Sequence, residues 1–389
     1  MGASGAVNAA LALSENTAGY CELDIVKMSD RERVSRRGAT IFTECACSNP
    51  LNFTKGYLPN KFRTLLFRSR IPKIVRDGEY DLVHLHNPIP ALEMERIAKA
   101  CNEMQTPYVI STHGFVELAS EGKAYGLSRW YEKQLWRYTL ERPLNRVVEG
   151  AARIFALSPF ELPILHDHYQ VNDARIRIVT NGVNESYFDS VDHATQKAVA
   201  QRFGLPWPKP TDVPAAIYLG NHTANKGLNV LLDAFTRLDQ PFSLVICGEC
   251  RDNIPYGQYA HKFGTGQTIT FTNFLAEEEV KALMAYADLF TYPTLSDTLP
   301  LVILDAMAAG LPVLSTKVGG IPHQVPEGVG VLVEPGDVDA FVEAYRSLTE
   351  DRDRLAAMSE RARDHVRSNF SWHEAAKAAY EAYEEIVME

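Results

Sequence analysis

Short runs of apolar and β-branched residues recur along the chain, and each is followed by a longer stretch whose apolar residues have helical spacing. Ten such runs predict strands, at Tyr80–Leu85, Pro107–Ser111, Arg153–Leu157, Ile176–Val179, Ala215–Leu219, Phe242–Cys247, Thr268–Phe271, Leu289–Tyr292, Pro312–Ser315 and Gly330–Val333. Strands that alternate with helices are typical of parallel sheets covered by helices on both faces. The pattern therefore predicts an α/β protein built from doubly wound parallel sheets.

A proline-rich stretch interrupts this alternation between Phe203 and Pro214, where four prolines lie within nine residues. It predicts a linker between two doubly wound domains, residues 1–205 and residues 206–371. The last segment, Trp372–Val387, has alanine and aromatic residues at helical spacing and no strand after it. We expect this segment to form a closing helix.

Composition narrows the possible partners. The 389 residues include 39 Lys and Arg against 49 Asp and Glu, which argues against a nucleic-acid partner because phosphate binding depends on an excess of basic side chains. The apolar run Val7–Leu13 is far shorter than the roughly 20 residues of a membrane span and has no basic region before it. Six cysteines are too few for a disulfide scaffold. We expect a cytoplasmic protein without a signal peptide or a membrane span.

Histidines mark the ends of two neighbouring predicted strands, where ligands of open α/β sheets bind. They lie in His84-Leu85-His86 and in Thr112-His113-Gly114. A His-x-His pair on one face of a strand is able to bind a metal, but no third ligand follows at a supporting interval. Hydrogen bonding to a loop or to a substrate hydroxyl is therefore favoured. His113 is the better candidate for ligand contact because Gly114 lets the backbone approach a ligand closely.

The glycine-rich loop Gly2-Ala3-Ser4-Gly5 leads directly into an apolar helical stretch, Ala6–Leu13. Free amides at a helix N-terminus attract anions, although a tight turn with no ligand explains the loop as well. No strand precedes the loop in this sequence. Either the N-terminus is incomplete or the first sheet has lost a central strand.

The segment from Tyr292 to Gly310 leaves a predicted strand through a polar loop and enters an apolar helix. This order predicts free helix amides for a phosphate, with Asp297 before the helix and Asp305 about one and a half turns inside it. The two carboxylates suit sugar hydroxyls, which need strong acceptors. The alternative is an N-cap aspartate and a surface aspartate.

With this spacing, Asp297-x7-Asp305 resembles the acidic E-x7-E motif of the retaining, nucleotide-sugar-dependent glycosyltransferases with the GT-B fold. Other motifs that resemble this family follow in chain order and cover nearly the whole sequence. They are Gly2–Leu13, Tyr80–His86, Thr112–Gly114, Ala156–Ser158, Asn181–Asn184 with Phe188, Tyr218–Gly220 with Lys226-Gly227, Pro312-Val313, Gly319–Pro322 and Phe370–Trp372.

The resemblance implies two Rossmann-like domains that face each other across a cleft, with the closing helix crossing back to the first. The donor would bind mainly to the second domain and the acceptor to the first. Asp297 and His113 would contact the transferred sugar, Asp305 the nucleotide ribose and Lys226 the diphosphate. The other implied donor contacts are the amides of Thr298, Leu299 and Leu301 at the phosphates, Gly2 and Gly5 above them, and backbone near Asn273 and Phe274 at the base.

The predicted site departs from the family pattern in two ways. Asp297 and Asp305 stand where glutamates are usual, which shortens each side chain by one methylene. Asn221 stands where the family usually has a diphosphate-binding arginine, so one permanently charged partner is missing. Asn221 remains a donor-binding candidate, and His222 is a candidate for partial substitution of the arginine.

A basic segment indicates where the acceptor binds. Lys55–Arg76 contains seven basic residues, no acidic ones and several large apolar ones. Such a segment suits an anionic membrane surface, where lipid-linked saccharide acceptors reside. The alternatives are a solvated basic helix or a patch for a soluble anionic acceptor.

The predicted function is a retaining glycosyltransferase that moves a sugar from a UDP- or GDP-linked donor to a saccharide or lipid-linked saccharide acceptor. This would serve cell-surface polysaccharide or glycoconjugate synthesis, peripheral to the cytoplasmic face of the membrane. A fixed cation and preorganised amides stabilise the leaving diphosphate without a metal, so we expect neither metal nor cofactor. The resemblance implies front-face attack, so the carboxylates bind substrate instead of acting as a glycosidase acid and base. Alternatives are an epimerase or phosphorylase of the same fold and a non-catalytic nucleotide-sugar-binding homologue.

Overall fold

The structure is a computed structural model that describes residues 5–49, 66–87, 89–113, 115, 130–250, 259 and 264–389. The chain forms two compact units: Met1–Asn181 with Trp372–Glu389, and Gly182–Ser371. Residues 182–205 therefore pack with the second unit, whereas the sequence analysis drew the boundary after residue 205. Val183 accounts for this difference because it is buried in the second core and its amide donates to the carbonyl of Phe370 at 3.0 Å.

Three strands near the N-terminus form a small separate sheet. They are β1 (Asp24–Ser29), β2 (Arg33–Arg37) and β3 (Thr40–Ala46), and β3 pairs in parallel with β1 and antiparallel with β2. These strands are not among the ten predicted from apolar runs. Strand β2 shows why, because it reads Arg-Val-Ser-Arg-Arg and four of its five residues are exposed.

The main sheet of the first unit has four parallel strands in the order β4, β5, β6, β7. These are β4 (Val83–His86), β5 (Tyr108–Ser111), β6 (Arg153–Ala156) and β7 (Ile176–Ile178). The helices before and between them are α1 (Gly5–Thr17), α2 (Ile71–Asp77), α3 (Ala91–Met104), α4 (Trp130–Trp136) and α5 (Arg142–Gly150).

The second unit contains one six-stranded parallel sheet. Its strands are β8 (Ala215–Leu219), β9 (Phe242–Cys247), β10 (Gln267–Thr272), β11 (Leu289–Tyr292), β12 (Val313–Thr316) and β13 (Gly330–Val333). They lie in the order β10-β9-β8-β11-β12-β13, all parallel. This is a Rossmann order in which the winding direction reverses between β8 and β11, and ligands bind at such a switch point.

Seven helices cover the second sheet in the described part of the chain. They are α6 (His193–Arg202), α7 (Leu228–Phe235), α8 (Glu277–Tyr286), α9 (Leu301–Ala308), α10 (Ile321–Gln324), α11 (Val338–Glu350) and α12 (Arg352–Asn369). All ten predicted strands of the two main sheets are present, with ends shifted by three residues or fewer. The α/β prediction is confirmed.

The C-terminal helix, α13 (Trp372–Met388), belongs to the first unit. Its small side chains face a buried apolar cluster that includes Val109 of β5 and Phe155 of β6. The residues that α13 contributes are Ala375, Ala376, Ala379, Ala382 and Ile386. Four alanines let the helix approach the sheet closely, and the predicted crossing of the closing helix back to the first domain is confirmed. No helix in the described residues has both the length and the apolarity to span a bilayer.

Candidate functional site

The best-developed site lies at the switch point of the second sheet, where the loops after β8 and β11 meet. The loop after β8 closes with a 3₁₀ turn at Ala224–Lys226. The carbonyl of Asn225 in that turn accepts hydrogen bonds from the amide of Leu295 at 2.7 Å and the hydroxyl of Thr294 at 3.0 Å. These bonds join the two loops and hold Lys226 next to the segment that contains Asp297.

Lys226 and Asp297 form an ion pair at the centre of the site. The Nζ of Lys226 lies 2.6 Å from Oδ2 of Asp297, and the side chains are only 22% and 15% exposed. The hydroxyl of Tyr292 donates to the same oxygen at 2.9 Å, and the amide of Thr298 donates to Oδ1 at 3.1 Å. Three donors therefore fix the carboxylate of Asp297 beside a cation, which is a preorganised arrangement for a polyol that carries a phosphate. Tyr292 is not among the predicted site residues, and its only sequence signal is its position at a strand end.

Two glycines let backbone approach backbone around this pair. Gly227 has φ +70°, and a Cβ there would lie 1.7 Å from the carbonyl oxygen of Pro293. Gly319 has φ +50°, and a Cβ there would lie 2.0 Å from the carbonyl oxygen of Asp297. Both positions require a left-handed conformation and leave no room for a side chain. The site is thus assembled by loops in direct main-chain contact.

The remaining donor candidates near α9 lie just before that helix or at its first residue. Thr298 and Leu299 are 6% and 4% exposed, and Leu301 is the first helical residue, after Pro300. The amide of Thr298 is already engaged by Asp297. The hydroxyl of Thr298 is buried without a hydrogen-bond partner among the residues that the structure describes.

Asp305 lies on α9, close to Tyr187 in the turn Glu185–Phe188 and to Glu277 at the start of α8. Within the described ranges, its carboxyl forms no hydrogen bond or ion pair. Burial, and secondarily the negative charge of Glu277, raises the pKa of Asp305 to about 8. Burial and the charge of Asp305 likewise raise the pKa of Tyr187. A partly buried carboxyl with a strongly raised pKa is typical of a functional site. No sequence motif indicated Tyr187 or Glu277 as site residues.

Replacing Asp305 with asparagine is expected to raise the melting temperature, and the gain should grow with pH. The pKa of Asp305 is raised from 3.8 to about 8 on folding. The stability that the neutral carboxyl provides is complete below the unfolded pKa and is lost as the pH rises through the folded pKa. Asparagine does not ionise, so the variant does not lose stability in this way as the pH rises. Differential scanning fluorimetry between about pH 5 and pH 9 should show the gain widen by several degrees.

Asp339→Asn is the matched control, because Asp339 lies on α11 with a side chain that is 88% exposed. Its melting temperature should differ from the wild type by a constant amount across the same range. If the difference in melting temperature between Asp305→Asn and the wild type stays constant or narrows as the pH rises, the raised pKa of Asp305 is contradicted.

Three other predicted positions follow strand ends of the second sheet, namely Asn221, His222 and Phe274. Asn221 follows β8, and its carbonyl accepts hydrogen bonds from Thr223 at 2.9 Å and from the Tyr218 hydroxyl at 3.4 Å. His222 is 4% exposed, and burial lowers the pKa of its ring, so it is a poor replacement for the charge of the family's arginine. Phe274 follows the edge strand β10 and is 81% exposed.

In the first unit, His113 follows β5 and is 7% exposed. Its Nε2 lies 3.5 Å from Nδ1 of His86 at the end of β4. The next ring, His84, contacts Tyr383 of α13 at 2.6 Å and Ser111 at 2.8 Å. Burial lowers the pKa of His84 to about 3 and that of His113 to about 4, so both rings are neutral.

Glu161 is a buried carboxyl that the sequence analysis missed. It is 1% exposed, and its Oε2 accepts hydrogen bonds from the hydroxyl of Thr112 at 2.8 Å and the amide of Leu157 at 2.6 Å. Burial raises the pKa of Glu161 to about 7. Since Thr112 precedes His113, Glu161 holds the loop that carries the histidine.

Several predicted positions fall outside the described residues: Gly2, Gly114 and residues 55–65 of the basic segment Lys55–Arg76. Gly5 begins α1. In the described part of the basic segment, Arg70 pairs with Glu32 at 2.8 Å and Arg76 with Glu103 at 2.7 Å. These pairs reduce the net positive charge there. Among the described residues, no group of three or more His, Cys, Asp or Glu side chains is placed to hold a metal ion.

Two family models match the chain, "Glycosyl transferases group 1" over residues 205–365 and "Glycosyltransferase Family 4" over residues 5–187. The fold also matches that of sucrose-phosphate synthase from Thermosynechococcus elongatus, with a TM-score of 0.74, 19% identity, and coverage of 99% of this chain and 94% of that one. The chain belongs to the GT-B glycosyltransferases. The resemblance drawn from the sequence motifs is confirmed at the level of family and fold.

Two further proteins are similar to this chain over smaller parts of its length. D-inositol 3-phosphate glycosyltransferase from Corynebacterium urealyticum is 28% identical over 61% of this chain, and the match spans 58% of that relative's length. The structure of Anabaena HepE in complex with UDP-glucose has a TM-score of 0.66 and 19% identity, and the match covers 81% of this chain and 82% of that one.

Proposed function

We propose that this protein is a retaining glycosyltransferase that moves a sugar from a UDP-linked donor to a saccharide or lipid-linked saccharide acceptor, in polysaccharide or glycoconjugate synthesis. The observation that carries the proposal is the Lys226–Asp297 pair at the switch point, with the Tyr292 hydroxyl on the same carboxylate. UDP is chosen because Anabaena HepE, which shares the fold, forms a complex with UDP-glucose.

The ion pair supports donor binding because its two members suit different parts of a nucleotide sugar. Lys226 is the cation for the diphosphate. When a diphosphate takes Lys226, Asp297 still accepts hydrogen bonds from Tyr292 and from the amide of Thr298. Its charge therefore stays compensated, and the carboxylate is able to accept hydroxyls of the transferred sugar.

Asp305 suits the ribose. Its carboxyl has no partner among the described residues, and with a pKa of about 8 it is largely protonated at neutral pH. A protonated carboxyl both donates and accepts hydrogen bonds, which matches the two hydroxyls of a ribose. Tyr187 beside it contributes an apolar face with a hydroxyl at one end.

The chemical step breaks the bond between the sugar's anomeric carbon and the diphosphate oxygen. Negative charge builds on the leaving diphosphate, where Lys226 and the amides at the start of α9 stabilise it. The acceptor oxygen attacks from the same face and its proton passes to the leaving phosphate, so the anomeric configuration is retained. His113, neutral because of its burial, binds a sugar hydroxyl and does not serve as the proton source.

A thermal-shift panel of UDP, GDP, ADP and dTDP tests donor binding. Selective stabilisation by UDP is expected, with a rise of several degrees at about 100 times Kd, since such binding adds about 2.7 kcal/mol to the folded state. Asp305→Ala should lose this shift, measured against the ligand-free variant. Asp339→Ala, which removes an exposed carboxylate on α11, should keep it.

A shift caused equally by all four nucleotides, or one that survives in Asp305→Ala, would contradict the assignment of this site. Transfer is then tested with UDP-sugars and an acceptor panel that includes D-inositol 3-phosphate, and NMR reads the anomeric configuration of the product. Binding without transfer or donor hydrolysis would instead favour the non-catalytic homologue.

A further inference from the structure

A row of partly buried rings connects the C-terminal helix to His113, which is itself buried. The hydroxyl of Tyr383 on α13 lies 2.6 Å from Nδ1 of His84. The ring of His84 stacks on that of His86, with 3.8 Å between the centroids and 30° between the planes. Nδ1 of His86 then faces Nε2 of His113 at 3.5 Å. All four residues lie in the first unit.

The row is neutral, and this restricts how its nitrogens pair. Burial lowers the pKa of His84 to about 3, that of His113 to about 4, and that of His86 well below its usual value. A neutral imidazole carries one N–H, so of two facing ring nitrogens one must donate and the other accept. The contact between His86 and His113 therefore couples the tautomers of the two rings.

His86 is itself held firmly. The stacked ring of His84 limits its tilt, and His84 is bonded through both nitrogens, to Tyr383 at one side and to Ser111 at the other. Because the ring of His84 is anchored at both nitrogens, it restricts the movement of the His86 ring that stacks on it.

We propose that His86 is a positioning residue for His113. It fixes the ring plane and the tautomer of His113, so that Nδ1 of His113 is offered to a ligand in one protonation state. Among the described residues, that Nδ1 has no hydrogen-bond partner. The expected effect of His86 on turnover rests on the proposed function, in which His113 contacts the donor sugar. The expected effect on the tautomer does not.

The tautomer is tested without any activity assay. Long-range ¹H–¹⁵N spectra of the full chain labelled with ¹⁵N-histidine distinguish the two tautomers, and His113→Gln identifies the signals of His113. We expect one tautomer in the wild type. His86→Phe keeps a ring for the stack but removes the nitrogen that faces His113, so His113 should then populate both tautomers.

His84→Phe is the matched control, because it makes the same substitution in the same row but alters no atom that faces His113. It should leave His113 in a single tautomer. Mixed tautomers in the wild type, or an unchanged His113 spectrum in His86→Phe, would overturn the proposal.

Turnover gives a second readout. His86→Phe is expected to lower kcat by about 10- to 100-fold while the donor KM changes less than about twofold. His86→Asn should recover part of the loss, since its amide places a polar atom near the position of Nδ1, and it carries the test if His86→Phe does not fold. Lost turnover with an unchanged His113 spectrum would mean a purely structural role and would also overturn the proposal. Absence of transfer in the wild type would refute the proposed function, whereas the spectra would still decide the pairing.

Discussion

Replacing Lys226 with methionine is expected to lower kcat/KM for sugar transfer by about a thousandfold. Lys226 supplies a positive charge 2.6 Å from Asp297 in a site where both side chains are largely shielded from water. Charge on the leaving diphosphate grows as the glycosidic bond breaks, so the loss should appear mainly in kcat. Steady-state kinetics with UDP-sugar donors measures it.

The variant should still fold, because Asp297 keeps the hydrogen bonds from Tyr292 and from the amide of Thr298. Lys317→Met is the matched control: Lys317 pairs with Glu334 on the surface, where the side chains are 53% and 66% exposed. Its kinetics should equal those of the wild type. A loss of less than tenfold in Lys226→Met would show that this lysine is not the diphosphate cation.

Replacing Gly227 with alanine is expected to destabilise the second unit by about 3 kcal/mol or more, since a left-handed non-glycine residue costs about 1–2 kcal/mol and the clash adds to this. The new Cβ would lie 1.7 Å from the carbonyl oxygen of Pro293, in the loop that carries Asp297. Neither partner is a flexible side chain, so the two loops must separate. The midpoint of urea unfolding, followed by circular dichroism, measures the effect.

Gly204→Ala separates backbone strain from collision. Gly204 has φ +67°, nearly the same as the +70° of Gly227, but no atom lies within 4 Å of a Cβ built there. The free energy of unfolding of this variant should fall only by the cost of the left-handed conformation, about 1–2 kcal/mol. Equal midpoints for the two variants would mean that the loops at the site are free to move apart.

The strands of both main sheets were predictable because each is a short run rich in apolar or β-branched residues, and an interior strand such as Phe242–Cys247 is buried along its whole length. Strand β2 was not predictable in this way, since three of its five residues are exposed arginines. The unit boundary was misplaced for a different reason. The prolines after Phe203 look like a linker, but whether a segment packs with what precedes or follows it depends on contacts such as that of Val183 with Phe370.

Within the candidate site, the sequence indicated residues that follow strand ends, including Lys226 and Asp297. It did not indicate partners that only the fold brings near. Tyr187 lies more than a hundred positions before Asp305, and Tyr383 lies 299 positions after His84. Local patterns contain no information about such pairs. Burial disfavours the charged form of the His222 ring, which argues against this residue as a substitute for the missing arginine.

The placement of α13 also affects how the chain is made. The first unit is discontinuous, with residues 182–371 inserted between its main part and its last helix. On the ribosome, the apolar cluster around Val109 and Phe155 stays uncovered until Ala375–Ile386 have been synthesised. The second unit, which is continuous in sequence, is able to fold first. Newly made chains therefore carry an exposed apolar surface for most of their synthesis, and the final helix is the one that covers it.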